Sequence, residues 1–181
     1  EQPDAVKELS AKVCDLLIAF MNEWFSRFGT NFIAHFPDYF MDGGITLSED
    51  EIGTVSPEMF DTFFRDELNK LSSTFGGLGI HCCANSRHQW EKFLELDDLR
   101  VLNLSGNQST AQRFTVEESI QFFGNAVVQF PHSPDFEGDT VGWITKHAPG
   151  KRLVLNIPAQ DRSEAQRLCG ELNELRSRLF S

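Results

Sequence analysis

Residues 56–83, SPEMFDTFFRDELNKLSSTFGGLGIHCC, decide the reading of the fold. Ser56 stands where a helix is capped, and Pro57 at the first helical position, where its missing N–H costs nothing. Phe60, Phe64, Leu68, Leu71 and Phe75 recur at helical spacing along one stripe, and Gly76 ends the pattern. LGIHCC then reads as a strand, and a short helix is expected from Ser86 through Leu96. A helix that feeds directly into a strand is half of a crossover unit, so the question becomes whether the pattern repeats.

It does. Upstream, Asp4 is the expected cap of a helix with Val6, Leu9, Val13, Leu17, Phe20, Trp24 and Phe28 as its apolar stripe, stopped at Gly29. TNFIAHF reads as a strand, and Gly43-Gly44 as a turn into a second extended piece. Downstream, RVLNLS is a strand, and Thr115 with Glu118 forms a capping box for VEESIQFF. NAVVQFP is a strand, TVGWITKHA a short helix and KRLVLNIPA another strand. Asp161 with Glu164 caps a last helix whose inner stripe is Leu168, Leu172, Leu175 and Leu179. About five strand–helix units at roughly 25–35-residue spacing indicate an α/β fold of parallel strands with crossover helices. An open doubly wound sheet and part of a (β/α)₈ barrel both satisfy this, and in both the ligand sits at the C-terminal ends of the strands.

With 181 residues, the chain suits one domain spanning 1–181. No apolar run approaches the ~20 residues of a membrane helix. The N-terminal Glu1-Gln2-Pro3-Asp4 has neither a basic nor an apolar stretch, so no secretory signal is expected. The net charge of −11, from 16 basic and 27 acidic residues, speaks against nucleic acid or an anionic membrane as partner, since phosphate binding needs clustered Lys and Arg. It leaves room for a small anionic ligand. Cys14, Cys82, Cys83 and Cys169 do not form a disulfide framework by their placement, and a reducing cytoplasm is expected.

Side chains alternate along a strand, so Leu78, Ile80 and Cys82 share one face and His81 and Cys83 the other. The apolar face packs on helices; the His-x-Cys face looks into the mouth. Imidazole and thiolate at that spacing can converge on Zn²⁺, although a satisfied histidine beside an inert cysteine fits the same residues. Asp50 leaves a strand end and can bind substrate or metal or move a proton, whereas Glu49 and Glu51 are expected to face solvent. Tyr39, His35, His132 and His88 lie near strand ends as weaker candidates. Asn103 and Gln129 are polar residues in apolar strands, where an amide must be paired, with each other, with backbone or with ligand. No phosphate-binding glycine loop, G-x-S-x-G or H-E-x-x-H occurs.

GITLSEDEIGTVSPEMFDTFF, residues 44–64, and FGGLGIHCCANSRHQW, residues 75–90, together resemble the uroporphyrinogen decarboxylase superfamily. The resemblance implies the C-terminal portion of a TIM (β/α)₈ barrel. In the zinc-dependent, corrinoid-linked methyltransferase branch, a His-x-Cys pair at this strand end and a distant cysteine bind zinc, which activates a thiol to take a methyl group from a corrinoid. His81 and Cys83 match the first two ligands. The turn that would carry the third reads LVLNIPAQD, with Asn156 and no cysteine. The residues and the resemblance agree on a mouth formed by Asp50, His81, Cys83, Asn103, Gln129 and Asn156; Asp50 and His81 are the catalytic candidates, and Asp50, Asn103, Gln129 and Asn156 the substrate-facing ones, joined by Tyr39 and His88 for their place near strand ends. It implies a small-molecule substrate, a corrinoid protein as a possible partner, and an N-terminal barrel part or second chain to cover open sheet edges. A metal-free decarboxylase or lyase acting on a tetrapyrrole or other carboxylate, and a non-catalytic truncated barrel serving as an interaction module, are the alternatives.

Overall fold

A computed structural model describes residues 2–30, 41, 43–105, 114–131, 134–136 and 138–179. Its elements run α1 (Pro3–Phe28), β1 (Ile45–Ser48), a 3₁₀ turn (Asp50–Thr54), α2 (Pro57–Phe63), α3 (Arg65–Phe75), β2 (Leu78–Cys82), a second 3₁₀ turn (Arg87–Gln89) running into α4 (Trp90–Leu94), β3 (Leu99–Leu104), α5 (Val116–Phe123), β4 (Val128–Gln129), α6 (Thr140–His147) and α7 (Arg162–Leu179). The four strands are parallel and lie side by side in chain order, β1-β2-β3-β4. Each strand pairs with the one before it, so the described sheet has no point at which strand order reverses.

The helix expected after Ser56 forms, with the Ser56 hydroxyl accepting the Met59 N–H, but it breaks at Phe64 (φ −120°, ψ −40°) into α2 and α3. Phe60, Leu68 and Leu71 are buried all the same, since Phe60 is the last anchor before the break and the leucines follow it. Phe60 sits edge-on to Phe93 at 6.0 Å. Full burial of a side chain of this size contributes about 1.5–3 kcal/mol. Gly76 closes α3 in the left-handed conformation (φ 75°, ψ 45°), as its place after the apolar stripe required.

Leu78, Ile80 and Cys82 face these helices, in one core with Cys14, Phe60, Leu68, Phe93, Leu102 and Phe123. A second, smaller core joins Ile120, Trp143, Ile144 and Leu175. The capping box of α5 is present: the Thr115 N–H donates to Glu118 at 2.8 Å, and the Glu118 N–H to the Thr115 hydroxyl at 3.1 Å. Asp161 accepts the Glu164 N–H at 2.9 Å, and Leu168 and Leu175 face inward from α7.

Three expectations are corrected. The helix α1 begins at Pro3 after Gln2, so Asp4 lies inside its first turn instead of capping it. Its buried face is Cys14 with Leu17, Ile18, Met21 and Phe25, and Val6, Leu9, Val13, Phe20, Trp24 and Phe28 are exposed. The apolar arc of this helix is wider than one face, so periodicity alone selects the wrong side. Packing on α3 decides it: the Phe25 and Phe75 rings meet at 5.7 Å and the Cys14 thiol points at the Glu67 carbonyl. Finally, KRLVLNIPA makes only one parallel bridge, Leu153 to Gln129, because β4 offers just two residues to pair with. TNFIAHF lies, beyond Thr30, outside the described residues. No helix among the described residues is long and apolar enough to cross a membrane.

Candidate metal centre at the strand ends

The register of the sheet places Ser48, His81 and Asn103 in one row across β1, β2 and β3. Two residues back along the same face, Gly79 lies between Thr46 and Val101, where a Cβ would come within 2.5 Å of Thr46 and 2.7 Å of Val101. The glycine lets those side chains close over the sheet beneath His81. His81 is therefore held in a packed wall, with 7% of its surface exposed, while Cys83 just beyond the strand is exposed.

Asp50 reaches the same place from the neighbouring strand. The ladder continues one residue past β1, with the Glu49 N–H donating to the His81 carbonyl at 2.8 Å. The 3₁₀ turn then directs the Asp50 carboxylate back over β2, where Oδ1 accepts the Cys83 backbone N–H at 2.7 Å and lies 3.8 Å from His81 Nε2. One donor atom each from Asp50, His81 and Cys83 lies within 4.8 Å of the others. An imidazole nitrogen, a thiol sulfur and a carboxylate oxygen converging this way form a three-ligand set of the kind zinc takes. Neither His81 nor Cys83 could identify Asp50 as the third member from spacing, because the convergence depends on β1 lying beside β2.

The histidine tautomer follows from the hydrogen bonds behind it. Asn103 is buried, and its Nδ2 donates to the Phe130 carbonyl at 2.5 Å. A carbonyl can only accept, so the amide oxygen of Asn103 faces His81 Nδ1, and in the neutral ring that nitrogen carries the proton. Nε2, on the Asp50 side, then bears the lone pair. Metal-ligating histidines are held by the same kind of bond at their second nitrogen.

Charge at the site is tied to this geometry. Burial alone would raise the Asp50 carboxyl; the Cys83 N–H and thiol that donate to it, with His81 alongside, outweigh burial and hold it below its ordinary value. The Cys83 thiol is pushed up, first by its hydrogen bond to Asp50 and then by burial and the carboxylate's charge. Burial pushes the Cys82 thiol up to about 11, as befits its place on the helix face. The expectation that Glu49 faces solvent is corrected: it is half-buried, and burial, then the charge of Asp50, raises its pKa. Glu51 is exposed.

The remaining substrate-facing candidates fall elsewhere. Asn103 has both ends of its amide engaged, by His81 and by the Phe130 carbonyl, so it supports the site from behind. Gln129 pairs with Leu102 and thus lies on the helix face, where its Nε2 reaches the carbonyls of Ile120 in α5 and of Gly124 just after it at 3.4 Å each. Its polar side chain closes a helix end and leaves the mouth. His88 donates from Nε2 to the Val55 carbonyl at 2.8 Å, which makes it a clasp on the loop after the 3₁₀ turn instead of a ligand. Asn156 is exposed and makes no hydrogen bond to Asp50, His81 or Cys83. Tyr39, His35 and His132 lie outside the described residues.

One residue with no sequence signal joins the set. Gln89, fully buried, sends its Nε2 to the Ile52 carbonyl at 3.2 Å and the Val55 carbonyl at 2.7 Å. A cavity of about 610 Å³ lined by Asp98, Arg100, Val127 and Arg152 opens near the start of β3, and one of about 670 Å³ lies between Trp90, Glu117 and His147. Neither is lined by the three strand-end donors.

Comparison with protein-family models, with curated proteins and with solved structures found no match to this chain. What the described residues define is a parallel α/β protein with an Asp–His–Cys donor set at the C-terminal ends of two adjacent strands.

Proposed function

We propose that this chain is the C-terminal portion of a uroporphyrinogen decarboxylase-like barrel, and that it carries a zinc-dependent methyl-transfer site built from Asp50, His81 and Cys83. The single observation that carries the reading is the convergence of those three donors within 4.8 Å at the ends of β1 and β2. The unbroken strand order supports a barrel portion over a doubly wound sheet, whose order reverses at its ligand crevice. Asp50 takes the place of the cysteine missing near Asn156. Zinc held by Asp50, His81 and Cys83 would supply Lewis acidity there and lower the pKa of a substrate thiol. Asn103 holds His81 so that Nε2 faces the site, and the Asp50 carboxylate receives the Cys83 N–H. The methyl donor is a corrinoid, carried by a partner protein, and a reducing cytoplasm suits a site that depends on a free thiol. An N-terminal barrel part or a second chain covers the edge of β1 that the described residues leave unpaired.

A metal-free lyase is the second reading, favoured by an ionised Asp50 carboxylate 3.8 Å from His81 Nε2, a pair able to pass a proton. Elemental analysis of the purified, unchelated protein beside Cys83→Ser and Asp50→Asn separates the two. About one zinc per chain, lost from both variants, supports the methyltransferase reading, and methyl transfer from methylcobalamin to a small thiol then tests the reaction. Wild-type protein free of metal and unable to take up added zinc refutes it in favour of the lyase or of a barrel portion that serves only as an interaction module.

A further inference from the structure

We propose that Gln89 is the positioning residue for Asp50: from the start of α4 it holds the turn that carries the carboxylate against the end of β2. In its metal-binding arm this rests on the reading of Asp50 as a ligand.

β1 ends at Ser48, so the sheet does not fix a residue two places further on. Asp50 opens a five-residue 3₁₀ turn, a form with poor hydrogen-bond geometry that rarely supports itself. One end of the turn is tied by the Glu49 N–H to the His81 carbonyl. At the other end, the Ile52 and Val55 carbonyls both point at Gln89, whose amide satisfies them from a position with no exposed surface. Ile52, between the two, is itself fully buried. Gly53 seats the turn on the loop after β2, since a Cβ there would lie 2.5 Å from the Ala84 methyl.

The amide is retained at a cost. Gln89 Oε1 is buried and has no hydrogen-bond partner, whereas a leucine would fill similar space with no orphaned acceptor. A buried polar group that breaks a packing rule calls for a compensating role. Among the described residues, the only bonds this amide makes are to the turn that aims Asp50. His88, one residue earlier, adds its own donor to the Val55 carbonyl, so the start of α4 grips the turn twice.

The Cys83 N–H, which donates to Asp50, reports the carboxylate's position without any metal. We expect Gln89→Leu to speed hydrogen exchange of the Cys83 amide by about tenfold or more, with the β2 amides unchanged. In Asp50→Ala this amide exchanges fast already, and adding Gln89→Leu changes nothing further. Zinc titration of the same four proteins should show affinity about 10–100-fold weaker in Gln89→Leu, with no added loss in the Asp50→Ala background. Unchanged Cys83 exchange in Gln89→Leu, or loss of protection spread evenly over β2 and β3, overturns the proposal. If no variant binds zinc, exchange still decides the positioning role, and the failure belongs to the metal reading alone. Should Gln89→Leu not fold, Gln89→Met keeps the length of the side chain and removes the donor to the Ile52 and Val55 carbonyls; faster Cys83 exchange there supports the proposal and an unchanged rate overturns it.

Discussion

The backbone N–H of Cys83 donates to Oδ1 of Asp50 at 2.7 Å, across the gap between the ends of two parallel strands. This bond orders both residues of the donor set that the sheet does not hold, and the thiol's own hydrogen bond to the same carboxylate ties the protonation of the cysteine to the charge of the aspartate. Several measurable consequences stem from it and from the bonds around it.

If zinc binds the Asp50–His81–Cys83 set as proposed, its affinity should rise with pH. The metal takes the thiolate, and Asp50 holds the Cys83 thiol above its usual pKa, so near neutrality each metal bound releases one proton. The Asp50 carboxyl, held low, is already ionised there and contributes no slope. Competition with a chromogenic chelator should show affinity climbing about tenfold per pH unit between about pH 7 and 8. A flat profile would mean that Cys83 is not a ligand. Residual binding in Cys83→Ser should lack the slope.

Asn103→Leu removes both the acceptor of the His81 Nδ1–H and the donor to the Phe130 carbonyl. Leaving buried polar groups unsatisfied costs about 1–3 kcal/mol, read from urea unfolding. Zinc affinity should fall about 10–100-fold in addition. In wild-type protein, long-range ¹H–¹⁵N spectra should find the neutral ring protonated at Nδ1; the Nε2–H form would contradict the bonding deduced for Asn103.

Glu49 and Asp50 should affect stability with opposite sign. The folded pKa of Asp50 is depressed, so its contribution is present above the unfolded value of about 3.9 and is lost as pH falls through the folded one. The pKa of Glu49 is raised, so its ionised form destabilises the fold once pH exceeds that raised value. Glu49→Gln should therefore raise the melting temperature at neutral pH, with the gain vanishing in acid below about pH 4. An equal gain at all pH values would show that charge is not the cause.

Gln129→Leu should lower stability with zinc affinity unchanged, because Gln129 serves the C-terminal carbonyls of α5 on the helix face of the sheet. Loss of metal or ligand binding at unchanged stability would return Gln129 to the mouth.

The helix after Ser56 and its stop at Gly76 were legible because caps, proline and glycine act within a few residues of themselves. So were the capping box at Thr115 and the division of β2 into a helix face and a His–Cys face, since side-chain alternation is a property of a single strand. The buried side of α1 is not encoded locally: the helix carries more apolar surface than one contact can cover, and only its seat on α3 selects Cys14, Leu17, Ile18, Met21 and Phe25.

By itself, the sequence determined the crossover pattern, the acidic charge and the pairing of His81 with Cys83 on one face, all of them consequences of local spacing and composition. Tertiary structure alone decided that Asp50 completes the donor set, that Asn103 stands behind His81, that Gln129 turns to the helix side, and that a buried Gln89 grips the turn. Each of these depends on which strand lies beside which and in what register. Contacts between residues about 30 positions apart are set by the packing of whole elements, and no short-range pattern encodes them.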